Sequence, residues 1–280
     1  MSLDLSAVGY QTEPFFFEYD WKVPVLYALG IGARKDELDY LYEGRGPKVF
    51  PTFAVVPAYP ALVPLVEKAK ADMRQVVHFS QVIRLHGEIP NAGRLKTIAR
   101  LSGIYDLKRL SQVAFTTETW LDGSDQLLFE TEWTLVVRDT GGFGGPRPPK
   151  WPAPKAPDAT APGSELTEAI GPEQALLYRL SGDLNPLHAD PEFAASVGFP
   201  EGPILHGLAT YGYIGRAVMK SLRPTQKLRV LGIQFKKPVW PGDSLTTKSA
   251  LVEPGVLSLS ATTNRSDEAV ASGWAEVSEG

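Results

Sequence analysis

Between Asp139 and Gly163 the chain reads DTGGFGGPRPPKWPAPKAPDATAPG, and half of residues 140–163 are glycine or proline. Proline lacks the N–H that a helix interior or a central strand needs, and glycine loses the most freedom on ordering. The segment therefore predicts a semi-stiff extended connector. It splits the 280 residues into near-equal halves, each the size of a small domain. The expected organisation is a repeat over 1–145, a proline-rich linker over 146–163 and a second repeat over 164–280.

The halves share a pattern. Residues 81–95, QVIRLHGEIPNAGRL, place apolar side chains at Ile83, Leu85 and Ile89, pass through a Pro/Asn/Gly turn and resume at Leu95. Residues 231–245, LGIQFKKPVWPGDSL, repeat this 150 positions later with Ile233, Phe235, Val239 and Leu245. Further period-two runs at 112–121 and 126–138, and at 246–252 and 256–263, predict strands in both halves. In the second half they follow ILHGLATYGYIGRAVMKSL (204–222), a helical segment apolar almost all round. Such a helix is expected to be wrapped on several sides by a curled antiparallel sheet. Gly207, Gly212 and Gly215 weaken its helix propensity and imply close packing. The first-half counterpart, residues 51–70, carries Pro57, Pro60 and Pro64, so no long helix is expected there.

Hydrophobic residues at 43% and charged residues at 21% are ordinary globular values. With 28 basic and 32 acidic side chains the net charge is −4, which argues against a nucleic-acid or membrane-surface partner. The absence of cysteine removes disulfides, thiolate nucleophiles and Cys-based metal sites. The opening Met1-Ser-Leu-Asp-Leu-Ser lacks signal-peptide character, no long apolar run is present, and Val277-Ser-Glu-Gly280 is not a peroxisomal address. A cytoplasmic protein is the expectation. Three motif-like strings are discounted. GIGARK (30–35) lacks the third glycine of a dinucleotide fingerprint, GGFGG (141–145) lacks the Lys-Ser/Thr of a phosphate loop, and NRS (264–266) is a sequon without secretory context.

Chemistry concentrates in LSGDLNPLHADP (180–191). Pro186 disfavours a helical Asn185, so a turn is expected before a helix capped by Asp190, with Pro191 at its first position. Asp183 and His188 face each other across that turn and can share one water as a general acid/base pair. Asn185 between them offers both a donor and an acceptor. On these residues alone an ordinary polar turn remains the simpler reading. The following GFPEGPILHGLATYG (198–212) runs straight from a loop into the apolar helix. Free N–H groups and the positive end of the helix dipole are thus expected near Gly207, suited to an enolate or oxyanion on a thioester carbonyl.

The stretch YRLSGDLNPLHADPEFAASVGFPEGPILHGLATYG resembles the signature of the R-specific enoyl-CoA hydratases, the MaoC-like family. LYALGIGARKDELDYLYEG (26–44), PTFAVVP (51–57), AGRLK (92–96), GGFGG and FKKPVWPGDSL (235–245) are similar to its two-repeat form, the hydratase domain of peroxisomal multifunctional β-oxidation enzymes. The resemblance implies an α+β double hot-dog fold, each repeat a helix wrapped by a curved antiparallel sheet. It implies one active site per chain, supplied by the second repeat, with the acyl chain in the room left by the eroded first-repeat helix. It also implies a homodimer, an acyl-CoA substrate, and no cofactor or metal. The implied reaction is reversible syn hydration of trans-2-enoyl-CoA to (3R)-3-hydroxyacyl-CoA. Asp183 and His188 would hold the water, Asn185 would support them, and the Gly207 amide would polarise the thioester carbonyl.

Substrate contacts carried over in the same way are His78, Phe79 (where the family often has glycine), Lys108, Leu184, Pro186, Leu187, Phe235 and the basic pair Lys236-Lys237. His206 is expected to order the helix start and His86 to be structural. Phe53 and Tyr59 could either line or block the acyl pocket. Competing readings are a 3-hydroxyacyl-thioester dehydratase of lipid synthesis, which uses the same site in reverse, and a non-catalytic acyl-CoA-binding module. A hot-dog thioesterase is disfavoured by the Asp-x-Asn-Pro-x-His string.

Overall fold

The computed structural model describes residues 2–152 and 160–279. Its strands are β1 (Phe15–Tyr19), β2 (Val76–Leu85), β3 (Gly93–Asp106), β4 (Ser111–Leu121), β5 (Leu127–Val137), β6 (Gly163–Ala169), β7 (Gln226–Phe235), β8 (Ser244–Glu253), β9 (Val256–Thr263) and β10 (Ser266–Glu279). All join one antiparallel sheet in the order β1-β3-β4-β5-β2-β7-β10-β9-β8-β6. Exchanging the two halves of the chain leaves that order unchanged when it is read from the other end. The repeat offset is visible in the coordinates, since β2 begins at Val76 and β7 at Gln226. These two strands form the seam, pairing from Ser80 with Gln234 to Arg84 with Val230.

The alternating runs read from the sequence all become strands. The short edge strands β1 and β6 were not expected. β6 is GSELTEA and almost wholly exposed, so it lacks the buried alternation that marks a strand. It starts at Gly163, inside the expected linker, and pairs along β8. Earlier in that linker the Trp151 ring meets Trp274 edge-on at 5.2 Å. Residues 153–159 of it lie outside the described residues. The GGFGG string has a structural use: the N–H groups of Gly142 and Gly144 donate to the Asp106 carboxylate at 3.0 and 2.7 Å. With the Lys108 N–H these bonds hold Asp106 below the usual carboxylate range.

The helices are α1 (Lys22–Gly30), α2 (Leu38–Leu41), α3 (Val55–Ala58), α4 (Val63–Lys68), α5 (Gln174–Tyr178), α6 (Pro191–Ser196) and α7 (Gly207–Ser221). Every residue of α7 from Leu208 to Val218 is buried, as expected for a helix that the sheet wraps. In the first repeat the corresponding segment is broken into 3-10 turns at Pro51–Ala54 and Tyr59–Leu62 alternating with α3 and α4. Its prolines remove the donors a continuous helix would need. The α7 glycines mark close approaches. A side chain at Gly212 would collide with Ile31, and one at Gly215 with Thr52 of the first repeat. Arg216, fully buried on α7, ties the repeats together. Its Nε donates to Glu37 at 2.9 Å, Nη1 to the Ile31 carbonyl at 2.8 Å, and Nη2 to Glu168 at 2.5 Å. One apolar core runs through both repeats, and the architecture is the expected double hot-dog.

Candidate active site

The turn after α5 ends in Gly182 at φ +118°, a conformation that favours glycine, and this turns Asp183 back toward α7. The Asp183 carboxylate accepts from the Asn185 N–H at 3.2 Å, an Asx turn, and from the Tyr59 hydroxyl at 3.4 Å. Asn185 caps a 3-10 turn over Pro186–His188, its side-chain oxygen accepting from the Leu187 N–H at 3.0 Å. One lone pair of its oxygen is therefore engaged by the backbone, while its amide donors remain for a ligand. Asp190 caps α6 through the N–H groups of Glu192 and Phe193, with Pro191 at the first position, as expected.

His188 is buried and its Nδ1 donates to the Ile204 carbonyl at 2.8 Å. That bond fixes the tautomer and leaves Nε2 as the free ring nitrogen. Burial lowers the His188 pKa, opposed by the Asp183 charge and by the Ile204 bond. His206, the residue before α7, stacks on His188 with ring centroids 3.7 Å apart and donates from Nε2 to the Asp183 carbonyl at 3.1 Å. It thus orders more than the helix start, because it braces both members of the pair. Burial drives its pKa far down as well. His206 makes no side-chain hydrogen bond into the first turn of α7. The first-turn N–H groups, that of Gly207 among them, are left for a ligand at the positive end of the dipole.

These groups line a cavity of about 510 Å³ between the repeats, in the usual size range of small-molecule sites. Asp183, Asn185, His188 and Gly207 all border it. Opposite them stand Tyr59, Leu62, Val66 and Trp133 of the first repeat, and Arg74, Arg138, Lys236 and Lys237 also line it. Among the described residues Arg138 and Lys236 form no ion pair. Lys237 is paired with Glu268, and Arg74 with Asp72.

Of the substrate contacts expected, His78, Leu187, Phe235, Lys236 and Lys237 line the cavity. His78 does so as a neutral ring stacked on Trp133 and edge-on to Phe235, since burial lowers its pKa to about 4. Four expectations are corrected. Phe79 is the extra residue of a β-bulge, because His78 pairs with Leu135 and Ser80 with Thr134, and the bulge turns it off the cavity wall. Lys108 sits at φ +73° in the β3–β4 turn, with its N–H on Asp106, and does not border the cavity. Leu184 and Pro186 are exposed on the outer side of the turn whose inner side carries Asp183 and Leu187. Phe53 is wholly buried against Tyr19 and Tyr27, so it neither lines nor blocks the pocket. Tyr59 lines it. His86 is far from this chemistry, paired with Glu130 on the strand surface. Trp133, Arg74 and Arg138 were missed. Trp133 sat in plain alternation on β5, while nothing local marks the two arginines.

The fold is a double hot-dog, with Asp183, His188 and the N-terminus of α7 gathered at one cavity between the repeats. Residues 17–139 match the family described as the MFE-2 hydratase 2 N-terminal domain, and residues 153–270 match the MaoC like domain. The chain is 39% identical over 263 residues to 3-hydroxyacyl-thioester dehydratase Y of Mycobacterium tuberculosis, covering 91% of this chain and 90% of that protein. It is 38% identical over 259 residues to enoyl-CoA hydratase ChsH3 of the same organism, covering 88% of each. Among solved structures, full-length peroxisomal multifunctional enzyme type 2 from Drosophila melanogaster aligns with a TM-score of 0.78 at 28% identity, over 95% of this chain and 48% of that one. A MaoC-like dehydratase from Phytophthora Capsici shares the fold, with a TM-score of 0.84 at 23% identity over 98% of this chain and 97% of that one. The chain belongs to the two-repeat MaoC-like hydratase family.

Proposed function

We propose that the protein is an R-specific enoyl-CoA hydratase, a hydro-lyase that interconverts trans-2-enoyl-CoA and (3R)-3-hydroxyacyl-CoA in fatty-acid metabolism. The observation that carries this reading is the meeting of the Asp183 carboxylate and the free Nε2 of a neutral His188 beside the N-terminus of α7. The relatives named hydratase and dehydratase support it.

The thioester carbonyl lies on the Gly207 N–H, which stabilises the enolate as negative charge develops. A water held between Asp183 and His188 adds its oxygen to the β-carbon. Its proton passes to the pair, and the pair delivers one proton to the α-carbon on the same face, so the atoms of one water are consumed. The apolar wall of Leu62, Val66 and Trp133 receives the acyl chain, and the cations Arg138, Lys236 and Lys237 suit the CoA phosphates. No cofactor is needed. A ligating atom of each of Asp183, His188 and His206 lies within 4.8 Å of the others. His188 Nδ1 and His206 Nε2 are engaged by backbone carbonyls, which leaves one nitrogen of each ring, and the addition of water as written uses only that of His188.

The dehydratase reading uses the same atoms in reverse, and the pathway sets its direction. A homodimer in the cytoplasm, without nucleic-acid or membrane partners, completes the proposal. Among the described residues no helix is long and apolar enough to cross a membrane. The test is loss of enoyl-thioester absorbance when protein is added to crotonyl-CoA and longer analogues, with and without EDTA. Turnover unchanged by EDTA is expected. Tight binding with no turnover at any chain length would favour the binding-module reading instead.

A further inference from the structure

On the cavity wall opposite the acid/base pair, among Leu62, Val66 and Trp133, stands the hydroxyl of Tyr59. Tyr59 stands in the 3-10 turn Tyr59–Leu62 of the first repeat, with its ring 6.1 Å from that of Trp133. Its hydroxyl reaches across the repeat boundary to Asp183 Oδ1 at 3.4 Å. The other bond to that oxygen comes from the Asn185 N–H, two residues along the same loop. Tyr59 is therefore the side-chain donor that fixes the carboxylate from outside its own turn. The groups facing Asp183 are otherwise His188, His206 through the Asp183 carbonyl, and the buried Tyr178. Neither histidine donates to the carboxylate, since Nδ1 of His188 is spent on Ile204 and Nε2 of His206 on the Asp183 carbonyl.

We infer that Tyr59 is a positioning residue for the reaction, its phenol holding the Asp183 carboxylate toward the water that Asp183 shares with His188. The first repeat thus contributes to the chemistry as well as to the acyl pocket. Tyr59 itself keeps helical backbone angles, φ −55° and ψ −46°, at the junction of α3 and the 3-10 turn Tyr59–Leu62. Burial, reinforced by the Asp183 charge, pushes the phenol well above its usual range, so it stays protonated and remains a donor throughout the working pH. A distance of 3.4 Å is long for an O–H···O bond, and hydrogen bonds of this kind often tighten only when substrate excludes water. The donor also offers a physical reason for the turn: without it, a carboxylate on an exposed loop has only local backbone to set its direction.

This inference rests on the hydratase reading, and the experiment separates the two. Tyr59→Phe keeps the ring against Trp133 and removes only the hydroxyl. Steady-state rates on crotonyl-CoA and a longer trans-2-enoyl-CoA are measured for the wild type, Tyr59→Phe, Asp183→Asn and the double variant. Loss of one hydrogen bond to a charged group predicts a kcat about tenfold lower in Tyr59→Phe with KM changed by less than about twofold. The double variant is expected to match Asp183→Asn, because Tyr59 acts through the group already removed. Unchanged kcat in Tyr59→Phe, a loss confined to KM, or an equal further loss on top of Asp183→Asn would each overturn the assignment while leaving a working wild-type hydratase. A wild type without turnover would instead remove the hydratase reading itself.

Discussion

Two side chains and one backbone N–H make up the proposed centre. Asp183, His188 and Gly207 are set by local devices: a left-handed glycine, an Asx turn, a carbonyl that selects the imidazole tautomer, and an uncapped helix start. Removing a general acid/base group typically costs a factor of about 10²–10⁴. Asp183→Ala and His188→Ala are each expected to lose turnover on that scale with unaltered circular dichroism, and near-normal rates in either would reject the pair. The pH dependence follows from His188. Burial lowers its pKa below the ordinary 6.5, so it loses its neutral form only at a lower pH than an exposed imidazole does. The acid limb of kcat/KM should accordingly lie below pH 6.5, and a limb centred above it would contradict a buried, neutral base. Much of this was legible in the DLNPLH string, because turn chemistry is local. The bracing by His206 and the reach of Tyr59 were not, since both depend on residues brought from 23 and 124 positions away.

At the scale of elements, α7 is the axis on which the site is mounted, and its glycines decide how near the first repeat can come. The strands were readable because one face of each is buried, which writes a period of two into the sequence. The edge strand β6 was unreadable for the same reason, having little buried face to alternate with, whereas the run of three phenylalanines in β1 hides the alternation of its inner and outer faces. Phe79 was carried over from the family resemblance, and a bulge between His78 and Ser80 shifts the face of that one residue. Lys108, carried over from the family resemblance, lies instead in the β3–β4 turn at positive φ, away from the cavity. Gly215→Val would press a branched side chain onto Thr52 and Leu231. Overpacking of this kind costs about 1–3 kcal/mol, and urea unfolding should show that loss. An unchanged midpoint would mean that the two helical segments are not in firm contact.

At the scale of the whole molecule, the site exists because two repeats have diverged in opposite ways. The second keeps a continuous buried helix and the acid/base turn at its head. The first has broken its helix, and the broken segment supplies the cavity wall and a hydroxyl in place of a second catalytic centre. The β2–β7 seam and the buried Arg216 cluster with Glu37 and Glu168 hold those halves in register, so the cavity between them keeps its shape. The central claim is that this single centre adds water to one face of a conjugated thioester. Its most direct test is the stereochemistry of the product formed from a trans-2-enoyl-CoA in deuterated water. The expected product is the (3R)-3-hydroxyacyl-CoA with deuterium at the α-carbon, added to the same face as the hydroxyl; a (3S) alcohol, or addition to opposite faces, would contradict it.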